Sequence, residues 1–169
     1  MRALILAADG FEDSEFYYPY YRLKEAGIEV DAAGPQKGMI TGKHGYSFEV
    51  DKPFSSVSGD DYDMLILPGG KGPEIVRLDK NAVAVTKKMF QDGKIVASIC
   101  HGIQTLISAG VLRGRKATCW PGVKDDLKAA GGEFLDKEVV VDGNLISSRK
   151  PDDLPAFCRE IFNMVKIHI

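Results

Sequence analysis

Short apolar runs punctuate the chain at Ala3 to Ala8, Met64 to Leu67 and Ile95 to Ile99, and none of them alternates with polar residues. A strand wetted on one face alternates, whereas a strand covered on both faces does not, so these runs predict parallel strands inside a sheet. The segments between them carry the other period: Ala82, Val85, Thr86, Met89 and Phe90 follow helical spacing, as do Leu154, Phe157, Cys158, Ile161, Phe162 and Val165. A first helix is expected from about Ser14 to Ala26, stopping at Gly27. Pro19 lies inside it and has no N–H to donate, so this helix must bend and leave one carbonyl without its partner.

A strand at Ile28 to Ala33 follows, and Gly38 to Val50 then reads as a β excursion outside the main alternation, without a role that the residues reveal. Val139 to Val141 and Leu145 to Ser147 flank Asp142, Gly143 and Asn144, the turn chemistry of a hairpin. Pro151, Asp152 and Asp153 suit the first turn of the last helix, where proline loses nothing and acidic groups meet the positive dipole end. The expected architecture is one α/β domain over residues 1–169: a three-layer sandwich with a mostly parallel central sheet, helices on both faces and a C-terminal β-hairpin.

Composition narrows the classes. Of 169 residues 44% are hydrophobic, enough for one core without disulfide staples. Lysine plus arginine number 22 against 24 aspartate plus glutamate, a formal charge of −2, so no nucleic-acid partner is expected. The N-terminal apolar run breaks at Asp9, too short for a secretory segment or a membrane span, and a soluble, cytoplasmic protein without membrane contact is expected. The cysteines Cys100, Cys119 and Cys158 are odd in number, widely spaced and without a C-x-x-C pair, which argues against a disulfide framework and against a metal site. No cofactor is expected.

In an open α/β sheet ligands bind beyond the carboxyl ends of the strands. Three strand exits carry unusual residues: Asp9 to Asp13, Pro68 to Glu74, and Cys100, His101, Gly102. At the third, Ala97 to Gly102 runs from a buried strand straight into an expected helix. That is the layout of a nucleophile elbow, which needs small residues two before and two after the nucleophile, here Ser98 and Gly102. Cys100 would then stand at a helix N-terminus, whose dipole and free N–H groups should lower the thiol pKa. Cys119 and Cys158 read as packing residues.

His101 is the candidate acid and base, but adjacent side chains diverge on a turn, so a third group must orient it; Glu12 and Glu74 are the carboxylates at the same rim. Gly69, Gly70 and Gly72 fit neither the dinucleotide fingerprint nor a phosphate loop. Their use is read as an oxyanion hole, in which the N–H groups of Gly70 and His101 face a developing negative charge. His44 and His168 have no partners at ligand spacing and are read as non-functional.

With these residues in view the chain resembles the DJ-1/PfpI superfamily, specifically the PfpI-like archaeal and bacterial intracellular proteases. The similarity runs nearly end to end, through Phe11 to Asp13, Tyr18 to Tyr20 with Arg22 to Lys24, Thr41 to Ser47, Leu67 to Gly70, Ala97 to Gly102, Ser108 to Arg115 and Val139 to Asn144. The resemblance implies a flavodoxin-like sandwich with Cys100 as nucleophile, His101 as its partner and Glu12 as the carboxylate that hydrogen-bonds the thiol. It also implies a homo-oligomer, dimer or hexamer, in which Glu74 of a neighbouring subunit orients His101. Trp120 stands where such proteins tend to carry tyrosine, on the pocket wall with Gly69.

Three activities fit. The leading expectation is a cysteine hydrolase of peptide or amide bonds. The alternative is a cofactor-independent glyoxalase or deglycase acting on methylglyoxal-type aldehydes. The third is a redox sensor or stress chaperone in which Cys100 is oxidised.

Overall fold

The computed structural model describes residues 1–167; His168 lies outside the described residues. Strands run β1 (Arg2–Leu6), β2 (Glu29–Gly34), β3 (Gly38–Thr41), β4 (Ser47–Val50), β5 (Lys52–Pro53), β6 (Met64–Leu67), β7 (Ile95–Ile99), β8 (Lys116–Ala117), β9 (Glu133–Phe134), β10 (Val140–Asp142) and β11 (Leu145–Ser148). Helices are α1 (Asp13–Glu25), α2 (Gly72–Val76), α3 (Lys80–Gln91), α4 (Ile103–Ala109), α5 (Lys124–Ala129) and α6 (Leu154–Val165). The seven-stranded sheet has the order β10-β11-β7-β6-β1-β2-β5 and is parallel throughout except at the β10–β11 hairpin. The expected α/β sandwich is therefore the observed one.

The continuous apolar runs are explained by what covers them. Ile5, Ile66, Ala97 and Ile99 pack with Phe16 and Leu23 of α1 and Phe157, Cys158 and Ile161 of α6. The intervening Leu4, Leu6, Leu65, Leu67 and Val96 point the other way, onto α3, α4 and α5. Successive side chains of a strand face opposite sides, so burying both sides demands apolar residues at every position. The hairpin turn is made at Gly143, with φ +60°.

The excursion from Gly38 to Val50 is the antiparallel pair β3–β4, standing apart from the main sheet. Its tip is bound to the start of α1. Asp13 accepts the backbone N–H groups of His44 at 2.8 Å and Tyr46 at 3.0 Å, and Gly42 approaches so closely that a β-carbon there would sit 2.5 Å from the Asp13 carboxyl carbon. Phe16 and Phe48 rings, with centroids 4.7 Å apart, complete the attachment. Among the described residues no helix is long and apolar enough to cross a membrane.

Candidate active site

The three strand exits meet. Glu12 donates its backbone N–H to the Gly69 carbonyl at 3.0 Å, Lys71 donates to the Gly10 carbonyl at 2.8 Å, and Phe11 and Gly70 form an antiparallel bridge. Above this junction lies a cavity of about 470 Å³, lined by Cys100, His101, Glu12, Glu74, Gly70 and Trp120 among the expected residues and by Glu15, Lys43, Lys71 and Pro151 besides.

Cys100 stands at the end of β7 with φ +60°, one of two described non-glycine residues in left-handed backbone. That conformation costs a β-carbon-bearing residue energy and persists only where the surroundings dictate it. They do so here: a β-carbon at Gly102 would collide with the Leu67 carbonyl, so the chain passes under β6 only because position 102 has no side chain. The elbow expected from the small residues is present. Ser98, on its other side, is fully buried and its Oγ has no hydrogen-bond partner.

The expected dipole at the thiol is absent in that form. Cys100, His101 and Gly102 form a single tight 3₁₀ turn, and α4 begins only at Ile103. The Cys100 side chain is also enclosed, the residue being only 8% exposed. Burial, then the charge of Glu15, push the thiol up to about 12, against the pull of the backbone N–H groups of His101 and Gly70. The expected lowering is thus reversed, because desolvation outweighs the turn's donors.

Glu15 takes the place that the resemblance gave to Glu12. It lies one helical turn further on, fully buried, and its Oε2 accepts the Gly69 N–H at 2.8 Å while Oε1 has no partner. Its carboxyl and the Cys100 side chain flank Gly69, close enough for each to alter the other's hold on its proton. A β-carbon at Gly69 would lie 2.5 Å from Glu15 Oε2 and 2.7 Å from Cys100 Cβ, so Gly69 is the spacer that lets the two meet. Burial pushes the Glu15 carboxyl up to about 8; the Gly69 N–H opposes this and the charge of Glu12 adds to it. Two acids in contact titrate as one unit. Between the two steps the pair holds a single proton, carried either by the carboxyl beside a thiolate or by the thiol beside a carboxylate.

Glu12 instead faces the hairpin tip. It accepts from Ser14 Oγ at 2.9 Å, contacts His44 Nε2 at 3.2 Å and lies 3.7 Å from Lys43 Nζ. It borders the cavity without bonding the thiol, and His44, read from sequence as idle, is its partner. Glu12 and Glu15 are both acidic residues near one strand exit, and only the helical phase of α1, starting at Asp13, turns Glu15 inward.

His101 does reach its neighbour: Nδ1 lies 3.2 Å from Cys100 Sγ, so the 3₁₀ turn brings together side chains that a wider turn would separate. Burial lowers the His101 pKa, the charge of Glu74 raises it, and Lys43 lowers it. The chain's own Glu74 lines the cavity but makes no hydrogen bond to the ring. The Trp120 indole stacks on the imidazole with centroids 6.3 Å apart and planes at 22°, forming the expected wall. Gly70 has φ +81°, and its N–H and that of His101 favour the charged form of the Cys100 sulfur. Cys119 and Cys158 are buried and unpaired, as packing residues. Among the described residues no group of three or more metal-ligating side chains is assembled.

Comparison with known proteins extends this picture. Residues 1–164 match the model of the DJ-1/PfpI family. The chain is 60% identical over 166 residues to "Deglycase TK1284" of Thermococcus kodakarensis, covering 98% of this chain and 100% of that protein. It is 57% identical over 166 residues to "Deglycase PfpI" of Pyrococcus furiosus, covering 98% of this chain and 100% of that one. A solved structure of a two-domain protein from Anabaena variabilis, with DJ-1/ThiJ/PfpI-like and ferritin-like domains, superposes with a TM-score of 0.96 at 36% identity, covering 98% of this chain. This chain spans about half of that protein, 48%.

Proposed function

Because this chain belongs to the DJ-1/PfpI family, we propose that the cavity at Cys100 is the active site of a cofactor-independent deglycase and glyoxalase, acting on adducts of methylglyoxal-type dicarbonyls. The observation that carries this reading is the fully buried Glu15 carboxyl beside Cys100 across Gly69, with its pKa pushed to about 8. Such a carboxyl can both hold and release a proton near neutral pH, which the conversion of an α-oxo aldehyde to a hydroxy acid requires. Relatives named deglycases at 60% and 57% identity support it.

The chemistry balances around one water. With the pair's one proton on Glu15, the thiolate attacks the aldehyde-derived carbon, forming a C–S bond, and the Glu15 proton goes to the oxygen of a free aldehyde as its C=O double bond opens or, where that carbon carries an amine, to the nitrogen as the C–N bond breaks and the amine leaves. Glu15, as carboxylate, removes the C–H proton of the resulting hemithioacetal and returns it to the neighbouring carbon, so the first carbon is oxidised to a thioester as the second is reduced to an alcohol. Water then cleaves the thioester to lactate and free thiol. Gly70 and His101 N–H groups face the oxyanions, and neutral His101 accepts and donates the water's proton. Glu74 of a neighbouring subunit orients the imidazole, a role that the chain's own unbonded Glu74 leaves open.

The leading expectation of peptide hydrolysis uses the same thiol and N–H groups but gives Glu15 no task, and it takes second place. Lactate release from methylglyoxal without glutathione, and amine release from methylglyoxal-treated acetyl-arginine, test the proposal on wild type and Cys100→Ser. Lactate from wild type alone is the expected result. Equal lactate from both proteins, or none from either, rejects it; cleavage of fluorogenic peptides by wild type alone would restore the hydrolase.

A further inference from the structure

Two lysines border the cavity at Cys100, Lys43 and Lys71, and the reaction described above uses neither. Lys43 is the one built into the site. It stands between β3 and β4, and its N–H donates to the Phe11 carbonyl at 2.8 Å, on the residue that is bridged to Gly70. The next residue, His44, is bound through its own N–H by Asp13 at 2.8 Å. The backbone at Lys43 is thus fixed to two of the strand exits that form the cavity. Glu12 then draws its ammonium inward: Oε2 lies 3.7 Å from Lys43 Nζ, close enough for an ion pair and too far for a hydrogen bond. The three N–H groups of the ammonium are left free for another acceptor. The charge of Lys43 also reaches both working groups, since it favours ionised Glu15 and disfavours protonated His101.

The reaction has a need that Glu15, His101 and the Gly70 N–H do not meet. Once the first carbon is bonded to Sγ, its own oxygen lies beside the elbow, whereas the ketone oxygen, on the second carbon, reaches further into the cavity. When Glu15 takes the C–H proton, the electron pair forms a carbon–carbon double bond and the negative charge falls on that ketone oxygen. We propose that Lys43 is a catalytic residue of this step: its ammonium, positioned by Glu12, hydrogen-bonds the ketone oxygen and gives it a proton as the charge develops. As Glu15 returns its proton to the second carbon, the hydroxyl on the first carbon becomes the thioester carbonyl, and the hydroxyl proton restores the ammonium. One hydrogen moves from carbon to carbon through Glu15 and one from oxygen to oxygen through Lys43, so both residues end as they began. Glu12 acts through Lys43 and is a positioning residue. The assignment rests on the glyoxalase reading and deepens one step of it.

Lys43→Met keeps the stem and removes both charge and donors. With methylglyoxal it should lower kcat about a hundredfold with little change in KM, and Lys43→Arg should recover part of the loss through its own N–H groups. Aldehyde-deuterated methylglyoxal should show a full primary isotope effect on kcat in Lys43→Met, because the slowed step is C–H removal. Lys71→Met, which removes an exposed positive charge from the same cavity, should stay within about threefold of wild type. Binding is read apart from turnover by calorimetry on full-length Cys100→Ser with glycolohydroxamate, a planar anion whose two adjacent oxygens mimic the enediolate, in the presence of EDTA. Adding Lys43→Met should weaken that binding about tenfold. A kcat for Lys43→Met within about threefold of wild type, a lowered kcat without an isotope effect, an equal loss in Lys71→Met, or unchanged hydroxamate binding each overturn the role of Lys43 while the glyoxalase reading stands. No lactate from wild type rejects that reading, and the role of Lys43 with it.

Discussion

At the scale of single residues, the fate of one proton organises the site. A carboxyl with its pKa at about 8 in the folded chain and near 4.5 unfolded binds more protons folded than unfolded anywhere between those values. Stability therefore falls as pH rises through that window and is level above it. Glu15→Gln keeps an acceptor for the Gly69 N–H and cannot ionise, so it should unfold at a higher temperature than wild type above about pH 6. The gain should be roughly 2–4 kcal/mol by pH 8 and vanish below pH 4.5, as denaturant melts across pH would show, while lactate formation is lost. A variant no more stable than wild type at pH 8 would mean that Glu15 is ionised at little cost. The sequence made Cys100, His101, Gly70 and Gly102 legible because an elbow restricts side-chain size in a fixed spacing. It did not separate Glu15 from Glu12, since that choice depends on where α1 begins, and helix starts are blurred by a residue or two in any pattern of apolar positions.

At the scale of elements, the β3–β4 hairpin is the part least visible beforehand. Its strands alternate as any half-exposed pair does, but its purpose lies in a tertiary contact: Asp13 on α1 binds two N–H groups of the hairpin tip, which carries Lys43 to the cavity and His44 to Glu12. Removing that carboxylate leaves two half-buried N–H donors of the tip without their partner. Asp13→Ala should cost about 2–3 kcal/mol, lowering Tm by several degrees, and should speed amide hydrogen exchange at residues 42–46 selectively. Uniform exchange along the chain would assign Asp13 a general role instead. The sheet, by contrast, was readable almost strand by strand, because burial on both faces leaves an unbroken apolar record in β1, β6 and β7. The short pieces β5, β8 and β9, of two residues each, carry too few positions to show any period.

For the whole molecule, the open question is who supplies the group behind His101. The helix that carries Glu74 also presents Ile75 and, just beyond its end, Leu78, 42% and 85% exposed, an apolar edge beside an acidic group. If neighbouring subunits complete the site, mixing Cys100→Ala with Glu74→Ala and allowing exchange should give more lactate than either forms alone, since mixed assemblies contain one intact site. No such gain, with exchange verified by mass, would assign Glu74 to its own chain. Glu74 raises the His101 pKa, so its loss lowers that pKa, and the acidic limb of the kcat/KM profile should move to lower pH.

The stretch between β1 and the first turn of α1 also sets a length. Asp9 accepts the Thr41 N–H, Gly10 is bound on both sides by Thr41 and Lys71, Phe11 holds Lys43, Glu12 holds Gly69, and Asp13 holds the hairpin. Every residue is a tick on a ruler laid between the sheet and Glu15. An α-helix turns roughly 100° per residue, so one amino acid inserted after Asp13 would swing Glu15 to the flank of its helix and leave the thiol facing an empty wall. Loops away from the cavity can change length without touching the chemistry, whereas this one is fixed in length by the reaction itself.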